Sequence, residues 1–118
     1  MRIVLVAEDN LVNREMIVTM LEAGGYEVIE AGDGEEALAS LETKRPDIVL
    51  LDMQMPKKGG VETLQVIRAH PGWKNLPVIA CTAFAMQGER EAAIEAGFDD
   101  YISKPISMVG LLKTLATW

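Results

Sequence analysis

Five side chains in this sequence have the types and placement to handle a phosphoryl group. The acidic pair Glu8-Asp9, the lone Asp52, the hydroxyl of Thr82 and the ammonium of Lys104 each stand at the end of a short, strand-sized run. Three carboxylates gathered in one place repel: two unit charges about 4 Å apart interact by roughly 4 kcal/mol at an effective dielectric near 20. Such a cluster calls for a cation. Carboxylates without histidine or cysteine make a hard, all-oxygen site, and Mg2+ takes one or two carboxylates plus a phosphate oxygen while keeping several waters. Lys104 then offers a point charge for a phosphoryl oxygen, Thr82 a hydroxyl donor, and the neighbouring backbone N–H groups further donors.

The elements that must bring these residues together are legible in the hydrophobic pattern. Ile3–Ala7, Ile48–Leu51 and Val78–Cys81 are short, continuously apolar runs, the habit of strands buried on both faces of a parallel sheet. Tyr26–Glu30 and Asp100–Ser103 mix polar with apolar positions and are expected at the sheet margins. Between them run apolar stripes of helical period: Met16, Ile17, Met20 and Leu21; Ala37, Leu38 and Leu41; Val61, Leu64 and Ile67; and Met108, Leu111, Leu112 and Leu115. A weaker, alanine-rich helix is expected around Gln87–Ala96. Gly24-Gly25 and Gly97 read as helix stops, and Asp33 with Glu36 as a capping box. The pattern is (βα) five times over, and right-handed crossovers then place helices on both faces of one sheet. In such doubly wound α/β folds, ligands gather beyond the carboxyl ends of the strands. The five chemical residues sit there.

Composition narrows the function classes. The chain of 118 residues fits one domain, 1–118, and its 49% hydrophobic content supplies one core. A formal net charge of -7 argues against bulk attraction to nucleic acid or an anionic membrane. The apolar run after Arg2 is too short for a signal peptide or a membrane span. The lone Cys81 has no partner for an internal disulfide, so a cytoplasmic location is expected. Cys81 itself reads as a small buried hydrophobe, and His70, before Pro71, as a helix-terminus residue without a chemical role.

With these residues in place, the sequence resembles the receiver domain of bacterial two-component response regulators over essentially its whole length. The resemblance rests on Glu8-Asp9, on Leu51-Asp52-Met53-Gln54-Met55-Pro56, on Thr82-Ala83, on Tyr101 and on Lys104-Pro105. Thr82 lies 30 residues after Asp52 and Lys104 lies 3 after Tyr101, the family's order and spacing. The stretches from Thr82 to Met86 and from Tyr101 to Ser107 are further similar to single-domain regulators of the DivK type and to receivers of hybrid kinases. The resemblance implies a CheY-like fold, with a five-stranded parallel sheet in the order 2-1-3-4-5. It implies that Asp52 accepts a phosphoryl group from a histidine kinase or histidine phosphotransferase. Glu8, Asp9, Asp52 and Gln54 would form the Mg2+ site, Glu8 through a water and Gln54 through its carbonyl. Met53, Ala83 and Lys104 would bind the phosphate. Thr82 and Tyr101 would be the switch pair, altering the face of the fourth helix, fifth strand and fifth helix that a downstream protein reads. Such a domain catalyses only its own phosphorylation and dephosphorylation.

Other readings are weaker. A Mg2+-dependent aspartyl-phosphate phosphatase of the haloacid dehalogenase type would carry a second Asp where Gln54 stands, and a flavin phosphate would be repelled by Glu8-Asp9. A stand-alone regulator and a receiver from a hybrid histidine kinase both fit. Lys104-Pro105 is a candidate cis bond. Two positions depart from the common family pattern. Lys58 stands where many receivers carry an aliphatic residue or Met six positions after Asp52, so a different packing of that loop is expected. Phe84, with Gln54, occupies positions that tune autodephosphorylation in the family. A bulky apolar ring at 84 would exclude the attacking water, so Phe84→Glu is expected to shorten the phosphoryl half-life. An unchanged decay rate of the phosphorylated chain refutes this.

Overall fold

The computed structural model describes residues 2–53, 55, 58–82 and 91–118, with the backbone of 89–90. Five strands and five helices alternate: β1 (Ile3–Ala7), α1 (Leu11–Ala23), β2 (Glu27–Ala31), α2 (Gly34–Thr43), β3 (Ile48–Asp52), α3 (Gly60–Ala69), β4 (Val78–Thr82), α4 (Glu89–Ala96), β5 (Asp100–Ser103) and α5 (Met108–Thr117). All strand pairs are parallel, in the order β2-β1-β3-β4-β5. This is the flavodoxin- and CheY-like architecture expected from the sequence.

Strand alternation sorts the core into two layers. Leu5, Ala7, Val49, Leu51, Val78 and Ala80 face α2, α3 and α4, where Ala37, Leu41, Leu64, Ile67 and Ala93 meet them. Val4, Val6, Ile48, Leu50, Ile79 and Cys81 face α1 and α5, against Ile17, Leu21, Leu111 and Leu115. Both faces of β1, β3 and β4 are therefore sealed, and each fully buried Leu or Ile contributes about 1.5–3 kcal/mol. Among the described side chains of α4, Ala93 alone is buried.

The apolar stripes need trimming. Met16, Val61 and Met108 are exposed, at 45%, 36% and 39%. Each lies one step or one turn off a line that the strands actually face, such as Gly60, Thr63, Leu64 and Ile67 on α3. Thr63 replaces Val61 in the core because its hydroxyl donates to the Gly59 carbonyl at 2.8 Å, satisfying a buried polar group. Strand β2 also starts one residue later than expected. The Tyr26 N–H donates to the Leu21 carbonyl and so completes the end of α1, where Gly25 adopts φ +89°.

Helix starts are set by side-chain caps. Asn10, Asp33 and Ser107 accept from the N–H groups of Asn13, Glu36 and Gly110. Glu36 closes its box on the Gly32 N–H at 3.1 Å, one residue before the cap itself. At the end of the sheet away from the strand carboxyl termini, Arg68 donates to the carbonyls of Lys74, Leu76 and Gly97 and to Asp99, whose carboxylate also accepts the Val78 N–H. His70 ends α3, as expected, and stacks on Trp73 with ring centroids 3.7 Å apart. No helix among the described residues is long and apolar enough to cross a membrane.

One glycine matters to everything beyond β3. A Cβ on Gly60 would lie 2.6 Å from the Asp52 carbonyl oxygen and 2.8 Å from the Met53 Cα, so α3 can start against the strand end only with no side chain there. Gly60→Ala is expected to cost about 1–3 kcal/mol through backbone displacement, measured by denaturant unfolding; wild-type stability in that variant refutes the close packing.

Candidate functional site

The register assembles the site. Ala7 pairs with Leu51, so Glu8 and Asp52 leave β1 and β3 side by side. Asp52 pairs with Cys81 and Thr82 with Ser103, which sets Thr82 and then Lys104 one step further along the row. Backbone bonds hold these ends in place: Glu8 N–H to Ala31 O at 3.1 Å, Met53 N–H to Cys81 O at 3.0 Å and Lys104 N–H to Thr82 O at 2.7 Å. Side-chain alternation then divides the residues. Glu8, Asp52 and Lys104 follow Val6, Leu50 and Ile102 by two and share the α1 and α5 side. Thr82 follows Ala80 by two and shares the other side with Tyr101, which is half-buried against that layer.

Carboxylate oxygens of Glu8, Asp9 and Asp52 lie within 4.8 Å of one another. Glu8 and Asp52 are 2% and 4% exposed, whereas Asp9 is open to solvent. Lys104 lies between the two buried acids. Its Nζ is 3.1 and 3.3 Å from the Glu8 oxygens and 3.2 Å from Asp52 Oδ2. The ammonium thus offsets part of a repulsion that the sequence assigned wholly to a bound cation. Burial lowers the affinity of Lys104 for its proton, but Asp52 and Glu8 more than reverse this and the net shift is upward. Glu8 is pushed up to about 7, chiefly by burial and then by its hydrogen bond and charge repulsion with Asp52, with Lys104 opposing. Cys81 is buried beneath the site and its thiol is pushed up to about 12, by burial first and the Asp52 charge second, which keeps it inert.

The described residues fit a small hard cation: the donors are all oxygen, two of the three acids are buried, and they converge at one strand-end crevice. Of the remaining expected site residues, Met53 is half-buried just past Asp52, while Gln54 and Ala83 lie outside the described residues, as does Phe84. Lys58 is half-buried, and its carbonyl oxygen would lie 2.6 Å from a Cβ on Gly34. The loop therefore packs through the Lys58 backbone onto the start of α2, an arrangement that does not require an aliphatic side chain. The Lys104-Pro105 bond is cis.

Two residues that hold Glu8 were not singled out from the sequence. Asn13 Nδ2 donates to Glu8 Oε1 at 3.3 Å, and Arg14 Nη1 donates to the Glu8 carbonyl at 2.9 Å while its Nε pairs with Glu30 at 3.2 Å. The only sequence signal was Asn10 as a cap, which would have placed Asn13 and Arg14 in the first turn of α1, above the end of β1.

Because the folded pKa of Glu8 lies above its ordinary value, its proton stabilises the fold fully below about pH 4.5, and that contribution is lost as pH rises to about 7. With divalent cations removed, the unfolding free energy is expected to fall across this window by an extra 1–3 kcal/mol, approximately, relative to Glu8→Gln. Parallel pH profiles for the two proteins refute the clustered arrangement.

The comparisons agree with this geometry. The response regulator receiver domain profile matches residues 4–116. The polar-differentiation response regulator DivK of Brucella anthropi is 38% identical over 115 residues, 98% of this chain and 94% of that protein. Among solved structures, the receiver domain of a sensor histidine kinase from Pseudomonas aeruginosa, with a magnesium ion coordinated in its active site cleft, is 38% identical with a TM-score of 0.91, covering 99% of this chain and 96% of that one. Chemotaxis response regulator CheY4 of Vibrio cholerae is 32% identical with a TM-score of 0.92, covering 99% and 98%. The chain belongs to the response regulator receiver family, the CheY-like signalling domains of two-component systems.

Proposed function

We propose that this chain is a phosphorylatable switch in which Asp52 accepts a phosphoryl group from the phosphohistidine of a histidine kinase or phosphotransferase. The observation that carries this reading is the pairing of one ammonium, Lys104, with the two buried carboxylates Glu8 and Asp52 at adjoining strand ends. A carboxylate oxygen of Asp52 attacks phosphorus, the P–N bond to the imidazole breaks, the imidazole leaves with a proton and an acyl phosphate remains. Asp9 and Asp52 would hold Mg2+, with Glu8 acting through a water and the Gln54 carbonyl adding a ligand by family resemblance. Mg2+ bound there supplies neutralisation of charge on the transferring oxygens. The crevice orients the attack, and Lys104, within reach of Asp52, turns from the carboxylates to a phosphoryl oxygen. By family resemblance, Met53 and Ala83, next in sequence to Asp52 and Thr82, would complete the phosphate site.

By family resemblance the response runs through Thr82 and Tyr101, and the side-chain division across the sheet supports this pairing. Thr82, 2% exposed, is drawn toward the new anion, and Tyr101 lies on the same side of the sheet, packed against the α2, α3 and α4 layer. A phosphate shifts the equilibrium only through contacts that differ between the two states, and this pair supplies them. The face of α4, β5 and α5 then changes for a downstream protein.

Incubation with acetyl phosphate and Mg2+, read by intact mass, is expected to add one phosphoryl group to the parent chain and none to Asp52→Asn. An adduct that persists in the variant, or never forms in the parent, overturns the assignment.

A further inference from the structure

We propose that Asn13 is a positioning residue for Glu8, keeping that carboxylate aimed at the acidic crevice both while Lys104 is shared with Asp52 and after it turns to the phosphoryl group. The inference rests on the proposed Mg2+-dependent phosphoacceptor role and extends it to a residue of α1. Besides its hydrogen bond with Asp52, Glu8 has two side-chain donors. Lys104 touches both of its oxygens, at 3.3 and 3.1 Å, and Asn13 Nδ2 donates to Oε1 at 3.3 Å. The same ammonium also holds Asp52 at 3.2 Å, so any movement of Lys104 toward a phosphate oxygen on Asp52 withdraws it from Glu8. Glu8 is 2% exposed, and a buried carboxylate that loses its donors without replacement is costly.

Asn13 fits the task in position and in chemistry. Its own backbone N–H donates to the Asn10 cap at 3.0 Å, which pins the first turn of α1. The next residue, Arg14, holds the Glu8 carbonyl at 2.9 Å, so consecutive residues of α1 grip the backbone and the side chain of Glu8. Asn13 also forms, with Lys104, the polar part of the wall of a cavity of about 310 Å3 that Met16, Ile17, Pro105 and Ile106 otherwise line. An amide, unlike a lysine or arginine, orients the carboxylate without neutralising it, so the negative charge stays available to a cation. A carboxylate at 13 would add repulsion instead. Donors of this outer kind typically change metal affinity by about 10- to 100-fold when removed.

The test is Mg2+ binding by calorimetry, without a phosphodonor, on the parent, Asn13→Leu, Asn13→Gln, Glu8→Gln and the double variant Asn13→Leu/Glu8→Gln. Asn13→Leu, similar in volume but without a donor, is expected to weaken Mg2+ roughly 10-fold. Asn13→Gln should recover most of the loss. In the Glu8→Gln background the same Leu substitution should change affinity by less than about twofold, because the coupling runs through Glu8. Should Asn13→Leu not fold, Asn13→Ser, too short to reach Glu8, carries the same expectation. Parent-like affinity in Asn13→Leu, or an equal loss with and without Glu8, overturns the inference. Phosphorylation of the parent alongside such a result would leave the phosphoacceptor role standing. The coupled loss without any phosphate adduct would overturn that role and leave Asn13 where it is placed.

Discussion

Everything near the crevice depends on one electrostatic constraint. Two carboxylates, Glu8 and Asp52, are buried side by side, and parallel pairing of β1 with β3 leaves them no way to separate. Like charges in that position are tolerated only with a counterion, a proton or a cation between them. The fold supplies the first two. Lys104 reaches both acids from just past β5, and burial beside Asp52 pushes Glu8 up toward about 7, which favours its protonated form. With three acids to one ammonium, the site responds to the arrival of either a divalent cation or a phosphate, because each changes which partner Lys104 prefers.

The packing around the crevice serves that constraint. Gly60 lets α3 begin directly against the Asp52 and Met53 backbone, and Gly34 lets the Lys58 loop close onto α2. On the opposite side Asn10, Asn13 and Arg14 fix the start of α1 to Glu8. These supports come from helix starts, where N–H groups and short polar side chains are plentiful. The far end of the sheet is locked independently by Arg68, which ties α3 to the entries of β4 and β5. The ends of β1 and β3 are therefore tied by several neighbouring elements. On α4, Ala93 alone is buried among the described side chains.

Much of this was legible in the sequence, for identifiable reasons. Strands β1, β3 and β4 announce themselves because a strand sealed on both faces must be apolar at every position. The acids stand out because Glu8, Asp9 and Asp52 interrupt such runs abruptly. Asp33 and Glu36 spelled out a helix start from local chemistry. Stripe membership was less secure: Met16, Val61 and Met108 are apolar yet exposed, since a helix period does not say which of two adjacent apolar positions meets the sheet. The β2 boundary slipped by one because the cap of α1 claims Tyr26, a contest between two backbone partners that hydrophobic pattern does not register.

The sequence by itself determined the alternating (βα)5 pattern, the residue types at the strand ends and the family they resemble, because these follow from local periodicity and spacing. Tertiary structure decided which of those residues touch. Lys104 and Glu8 are 96 residues apart in the chain and meet only because β5 and β1 deliver them to the same side of one sheet. Asn13 gains a role only where α1 folds back over β1. Register and side-chain parity placed Thr82 with Tyr101 on the other side, a division created when parallel strands pair and absent from the separate strands.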